Sequence, residues 1–246
     1  MNSYIKNPKT AGSGIICCIP QKGKCPNDCD ECYFNSGRSY LEPLDEHTPN
    51  MPTIRQAKHR IVRVNDGNDS HNDMAMVMKA VEKYPLKFYN TCSMRDLEKY
   101  DAPVVFTINP GSWTDKCPDS LIYNTPVASN LMFIRVRTNT WNIDLVELVV
   151  AHFTKIGVPV VLTFMAYHEL ESIPEHYKGD YIYRKRTVNS YYAIRTCNWA
   201  WLMDEYRFNK LVYSCGKIEG EIGTTLCRYC GNCLREFYAT MERMGR

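Results

Sequence analysis

The sequence predicts an α/β fold built on a parallel sheet. Short apolar, β-branched runs recur along most of the chain, they alternate with stretches of helical periodicity, and Gly, Asn, Asp or Pro marks the joins. That order is the pattern of βαβ units. At 246 residues the chain exceeds the usual single domain of roughly 100 to 200 residues, yet one α/β barrel commonly runs this long. Hydrophobic residues at 44% and charged residues at 23% allow a packed core and argue against a disordered chain.

The elements follow in order. Residues 14–19 read as the first strand, and residues 36–60 as an irregular, polar stretch broken by Pro43, Pro49 and Pro52, with room for only a short helix. Residues 61–64 read as the second strand. A helix starts near Ser70 and carries Met74, Val77, Met78 and Val81 on one stripe until Pro85 stops it. Residues 86–89, 104–108 and 131–136 give three more strands, the last with Arg135 entering it. Asn142 stands at the capping position of a helix striped by Val146, Val149, Val150 and Phe153, and Gly157 is placed to end it. Residues 158–164 supply a sixth strand.

The formal charge of +3 comes from mixed Lys, Arg, Asp and Glu, so a phosphate-backbone partner is permitted without being indicated. Residues 1–20 lack the apolar core of a signal peptide, and no segment is long enough to span a bilayer. Twelve cysteines without an export signal point to a reducing, cytoplasmic compartment, where clustered thiols bind metal more often than they form disulfides.

Those cysteines form two groups. Cys25, Cys29 and Cys32 have the spacing Cys-x3-Cys-x2-Cys, which wraps a short loop so that three thiolates converge on one inorganic core. Thiolates are the habitual ligands of iron–sulfur cubanes, and three of them leave one iron open. Zinc in a knuckle is the bland alternative, but it wants four ligands and no His or Cys lies just downstream.

Spacing and position together resemble the hallmark of the radical S-adenosylmethionine superfamily, three cysteines just after the first barrel strand. The resemblance implies a partial (β/α)6 TIM-like barrel over residues 1–175, a 4Fe–4S cluster on Cys25, Cys29 and Cys32, and reductive cleavage of S-adenosylmethionine to a 5'-deoxyadenosyl radical. It also implies an external electron donor such as a flavodoxin or ferredoxin. The family carries an aromatic residue just before the third cysteine, where this chain has Glu31; Tyr33 and Phe34 follow and are assigned the adenine contact. Asp66, Gly67 and Asn68 stand where the family has a glycine-glycine-glutamate element that holds the methionine amino group, and Gly67 would let backbone approach a ligand. By the same resemblance Asn90, Thr91, Asn109 and Arg135 surround the ribose and carboxylate, Arg135 because a cation pointing into a barrel needs an anion. Asn, Asp, Gly and Thr after a strand are also ordinary turn formers.

The second group is Cys215, Cys227, Cys230 and Cys233, within a small helical and cysteine-rich extension over residues 176–246. Four thiols can close one site. The extension resembles the auxiliary-cluster (SPASM or twitch) domains of radical S-adenosylmethionine enzymes, which often hold seven cysteines where this one has four, and a second 4Fe–4S cluster is the reading adopted. Zinc is its rival, since Cys227-x2-Cys230-Gly231 resembles a zinc-ribbon knuckle.

Cys17, Cys18, Cys92, Cys117 and Cys197 have no partner at ligand spacing and read as buried small hydrophobes, with Cys117 the candidate for reactivity. Residues 191–206 read as one amphipathic helix packing across the barrel, although their mixture of Tyr, Trp and Arg also suits a nucleic-acid groove. His71 lies near the proposed cofactor loop and is a candidate proton donor if it faces the cavity. The expected function is therefore radical S-adenosylmethionine catalysis on a peptide or small molecule, with no membrane partner. The alternative is a zinc-bound nucleic-acid or protein interaction module in which both cysteine groups are structural.

Overall fold

The computed structural model describes residues 3–29, 32, 34, 38–109, 127–186, 189–219 and 222–246. Strands β1 (Ile15–Cys18), β2 (Ile61–Val64), β3 (Lys87–Thr91), β4 (Val104–Ile108), β5 (Leu131–Thr138) and β6 (Val160–Phe164) lie side by side in chain order, each parallel to the next. Their β-branched and aromatic residues are buried on both faces, as strands of a covered parallel sheet must be. After β6 the chain makes a separate antiparallel sheet from β7 (Ala166–Tyr167), β8 (Tyr181–Arg184) and β9 (Tyr191–Ile194), then returns to the main sheet as β10 (Val212–Ser214), parallel to β6. The main sheet thus has seven strands, one more than the sequence reading counted, and curls into a half-barrel. Its seventh strand comes from the segment read as extension, and Cys215 follows it directly.

The sheet's outer face is covered by helices Met74–Val81 and Ile143–Lys155. Val146, Val149, Val150 and Phe153 are the buried stripe of the longer helix, and Gly157 ends it at a φ of 79°. Asn142 sits at the start of this helix but makes no capping bond. Its side chain instead accepts from the Asn139 amide at 2.9 Å and donates to the Arg137 carbonyl at 3.0 Å, bracing the loop after β5.

The inner face is filled by the helix Asn232–Arg243, from the extension read as helical and cysteine-rich, whose limits and place inside the sheet the sequence reading did not give. Its Phe237, 1% exposed, packs among Ile61, Phe88, Val105, Met132, Phe133 and Val161. Burying such a ring contributes roughly 1.5–3 kcal/mol. Arg243 Nη2 donates to the carbonyl of Leu131 at 2.8 Å, so the helix ends at the entry end of β5.

The segment leading into this helix spans the open seam between the two edge strands. On the β10 side, Asn232 Nδ2 donates to the Ser214 carbonyl at 2.8 Å. On the β1 side, a Cβ on Gly14 would lie 3.2 Å from Leu234 Cδ2, and one on Gly12 would lie 3.4 Å from Arg228 Cδ. No helix of the described residues is long and apolar enough to cross a membrane.

Candidate metal centre

In a parallel sheet of this kind the carboxyl ends of the strands and the loops that follow them carry the chemistry. The loop of Cys25, Cys29 and Cys32 follows β1 and is held by the loops after β2 and β3. The tie is Asp69, a buried carboxylate in the loop after β2. Its Oδ1 accepts from the Thr91 hydroxyl and the His71 amide, both at 2.7 Å, and its Oδ2 accepts from the Cys92 amide at 2.7 Å, the Cys92 thiol at 2.8 Å and Asn27 Nδ2 at 3.1 Å. Gln21 Nε2 adds bonds to the carbonyls of Asp69 and Asn72, and Asn72 Nδ2 points at Cys25 Sγ from 3.6 Å. The cysteine loop is therefore positioned by amide side chains and one carboxylate.

The three thiols are half-buried and electrostatically coupled. Burial raises Cys25 most, the Asn27 backbone lowers it, and Asp69, Cys32 and Cys29 raise it further. Cys29 is raised by burial and then by Cys32, while Arg137 and a hydrogen bond from Cys92 pull it down. Cys92 was expected to be a buried small hydrophobe; it is exposed and stands beside Cys29, because Asp69 and Asn27 hold its sulfur in the mouth. Cys197 is likewise exposed, whereas Cys17 and Cys18 are buried as expected. Cys117 lies outside the described residues.

The remaining predicted contacts are distributed unevenly. Tyr33 lies outside the described residues. Phe34 and Gly67 meet: a Cβ on Gly67 would stand 2.1 Å from Phe34 Cε2, so the absence of a side chain there accommodates the ring. Asp66 belongs to a polar knot, accepting from Asn7 Nδ2 at 2.6 Å, Tyr40 Oη at 3.2 Å and Arg63 Nη2 at 3.3 Å. Asn68 is half-buried, and its Oδ1 accepts from the Asp69 amide at 2.8 Å. Asn90 donates to the Val64 carbonyl at 2.8 Å and accepts from Arg135 Nη1 at 2.9 Å. Thr91 is spent on Asp69, and Asn109 is buried just past β4. Asp69 itself was missed because its partners lie at three separate places in the chain.

Of the second group, two thiols lie against the inner face. Cys215 and Cys233 pack against the layer of Phe133 and Phe237. The Cys230 thiol approaches the Ser214 carbonyl at 3.9 Å. Burial pushes the Cys233 thiol up to about 12, against the pull of the Arg135 and Arg63 guanidinium groups, and Cys215 and Cys227 raise it further. Burial also raises Cys230, helped by Cys215 and Cys227. Cys215 and Cys227 thus act on both Cys230 and Cys233.

Along β5, Phe133, Arg135 and Arg137 alternate onto the inner face. Phe133 meets Phe237, the Cys233 and Cys215 thiols act electrostatically on Arg135, and the Arg137 charge acts on Cys29. Neighbouring rungs are roughly 6–7 Å apart, at about 3.3 Å per residue. One strand thus addresses both cysteine groups.

Among the described residues, no three His, Cys, Asp or Glu side chains form a set that could hold a metal ion. A cubane is several atoms across, so its ligands stand farther apart than those of a single ion. The donor chemistry fits it: thiols throughout, and amide donors directed at sulfur, which tune such clusters.

Residues 191–206, expected as one helix, divide into β9 and the helix Thr196–Asp204. Tyr191 to Ile194 pair with β8, and Trp199 packs beneath Gly216 and Gly223, where a Cβ would meet its ring at 2.6 Å. A hollow of about 240 Å³ between this helix and Ile143–Lys155 lies on the outer side, bordered by no cysteine. A scan against protein-family models, a search of the curated proteins and a search of the solved structures each gave no match to this chain.

Proposed function

We propose that the chain is a radical S-adenosylmethionine enzyme. The observation that carries this reading is the place of the Cys-x3-Cys-x2-Cys loop, directly after the first strand at the carboxyl edge of a curled parallel sheet. Cys25, Cys29 and Cys32 would hold a 4Fe–4S cluster. When bound, that cluster supplies the electron that splits the sulfonium of S-adenosylmethionine and yields a 5'-deoxyadenosyl radical.

The protein's part is positioning. Asp69 fixes the cysteine loop against Thr91 and Cys92. Arg137, the guanidinium that acts on Cys29, is better placed than Arg135 to meet the methionine carboxylate. Phe34 is buried against Ile19, Leu41 and Leu44 and its ring fills the space at Gly67, so the adenine contact assigned to it would require the ring to turn outward. Cys215, Cys227, Cys230 and Cys233 would hold a second cluster, with zinc as the alternative. A peptide or small molecule is the proposed substrate, and a flavodoxin or ferredoxin the electron donor.

Anaerobic reconstitution with iron and sulfide, followed by reduction in the presence of S-adenosylmethionine, tests the reading. The expected result is a brown protein that releases 5'-deoxyadenosine and methionine, with both products lost in Cys29→Ala. Zinc without iron or sulfide in anaerobically purified protein, and no turnover, would instead support the structural interaction module.

A further inference from the structure

The helices Ile143–Lys155 and Thr196–Asp204 leave the hollow of about 240 Å³ between them, and its lining is of one chemical kind. Val146, Leu162 and Leu202 are its buried apolar side chains, and the rings of Trp201 and Tyr206 stand with them. Two carboxylates, Glu147 and Glu205, complete the enclosure, and no Lys, Arg or His lines it. Among the described residues neither carboxylate forms an ion pair. Both bear on the same ring: the Tyr206 hydroxyl is pushed up to about 12, by burial first and then by the charges of Glu147 and Glu205.

Two like charges beside aromatic rings and apolar side chains make a receptor for a cation on an apolar stem. A guanidinium suits it better than an ammonium, being planar, able to stack on a ring and able to offer a fork of N–H donors to two carboxylates at once. The hollow is smaller than the roughly 300–1,000 Å³ of sites that enclose a whole drug-sized molecule, so it takes one side chain and leaves the rest of the ligand outside. There is a surface for that remainder. A second hollow of about 550 Å³ shares Glu147, Glu205 and Tyr206 with the first and continues past Phe208, while the cation Lys210 lines only this second one. Trp201 is 63% exposed and Phe208 86% exposed, so one groove carries two bare aromatic rings, the kind of anchor that binding surfaces use.

We propose that this groove docks an arginine-bearing peptide segment, whose guanidinium enters the smaller hollow between Trp201, Tyr206, Glu147 and Glu205 while its flanking residues lie along the groove toward Phe208. The site is on the outer side of the sheet and borders no cysteine, so it is independent of the chemistry assigned to the cysteine groups.

The test uses the full chain and three ligands: an end-capped nonapeptide of alanine and leucine with one central arginine, the same peptide with citrulline in its place, and acetyl-arginine amide alone. Fluorescence anisotropy with an uncharged dye on the peptides gives their affinities, and competition gives that of the amide. The citrulline peptide, which keeps the shape and loses the charge, should bind at least roughly 10-fold more weakly, and the arginine peptide should weaken as salt rises. Glu147→Gln combined with Glu205→Gln should cost roughly 3- to 10-fold, and Trp201→Ala roughly 2- to 30-fold, with circular dichroism unchanged because all three side chains are exposed. Equal affinity for the arginine and citrulline peptides overturns the proposal, and so does an affinity untouched by the two Gln substitutions. Acetyl-arginine amide binding as tightly as the peptide would make this a small-molecule site and overturn peptide docking. No binding of the arginine peptide up to roughly 1 mM, the weak end of specific recognition, overturns it outright. None of these outcomes depends on cluster loading, so the reading of the cysteines stands or falls separately.

Discussion

Replacing Asp69 with Asn tests the positioning of the first cysteine loop without removing a thiol. An Asn side chain keeps one oxygen for the Thr91 hydroxyl and the His71 amide, but turns an N–H₂ group toward the Cys92 amide and Asn27 Nδ2, which are themselves donors. Asn27 is exposed and recovers a bond from water, whereas the Cys92 amide loses a charge-assisted partner. That amide is part-buried, so losing its partner falls toward the low end of the cost of an unmet donor, about 1–3 kcal/mol; with the charge assistance lost from the surviving bonds, the loss of stability should be about 1–3 kcal/mol. The same change alters reactivity. Burial raises the Cys92 thiol most, and Asp69 adds to it by charge and by hydrogen bond, so Asp69→Asn removes the two causes after burial and enlarges the thiolate fraction. Urea unfolding measures the first effect. Alkylation by iodoacetamide at pH 8, read by mass spectrometry as the ratio of Cys92 to the exposed Cys197, measures the second. Stability within about 0.5 kcal/mol of the parent together with an unchanged ratio would refute the assignment of Asp69 as the tie, since ordinary surface changes stay within that range.

Phe237→Ala should cost about 3–5 kcal/mol in urea unfolding and reduce metal retention at the second group, because it loosens the helix that carries Cys233. Gly67→Ala should cost about 1–3 kcal/mol by driving a methyl into the Phe34 ring, and a double-mutant cycle with Phe34→Leu should show recovery of most of that loss. The metal-free protein should lose stability as pH rises above 9 toward 12: burial raises Cys233 from 9.0 to about 12, so the unfolded chain releases its proton first and its contribution is complete only below 9. Metal-loaded protein should lack this slope from Cys233, a difference visible in urea midpoints at pH 7.5, 9 and 10.

The six strands read from sequence were visible because β-branched runs bounded by turn residues leave a local imprint, and β2 and β4 match their expected limits. β10 left almost none: three residues, Val212–Ser214, gain their strand character from pairing with Val160–Leu162. The helix Asn232–Arg243 did carry a signal, with Leu234, Phe237 and Met241 at helical spacing, but the nearby cysteines drew the reading toward metal ligation. Cys25, Cys29 and Cys32 were recognisable from spacing. The roles of Asp69 and Cys92 were not, since they depend on loops after β2 and β3 meeting a loop after β1. Arg135 was read as needing an anion; its partners in the fold are the Asn90 side chain and the Phe133 ring, which depend on β3 and β5 lying within reach of each other across the sheet.

An open sheet of parallel strands has two raw margins, each able to recruit a strand from another molecule. Here those margins are dressed with side chains: Tyr4 Oη donates to the Cys17 carbonyl at 2.7 Å on one, and Asn232 takes the Ser214 carbonyl on the other. The same carboxyl-terminal stretch that carries the last three thiols thus also denies neighbours a template. Colloidal behaviour is tied to the short piece of chain that carries those thiols, so a lesion there should surface as aggregation before any chemistry can be assayed.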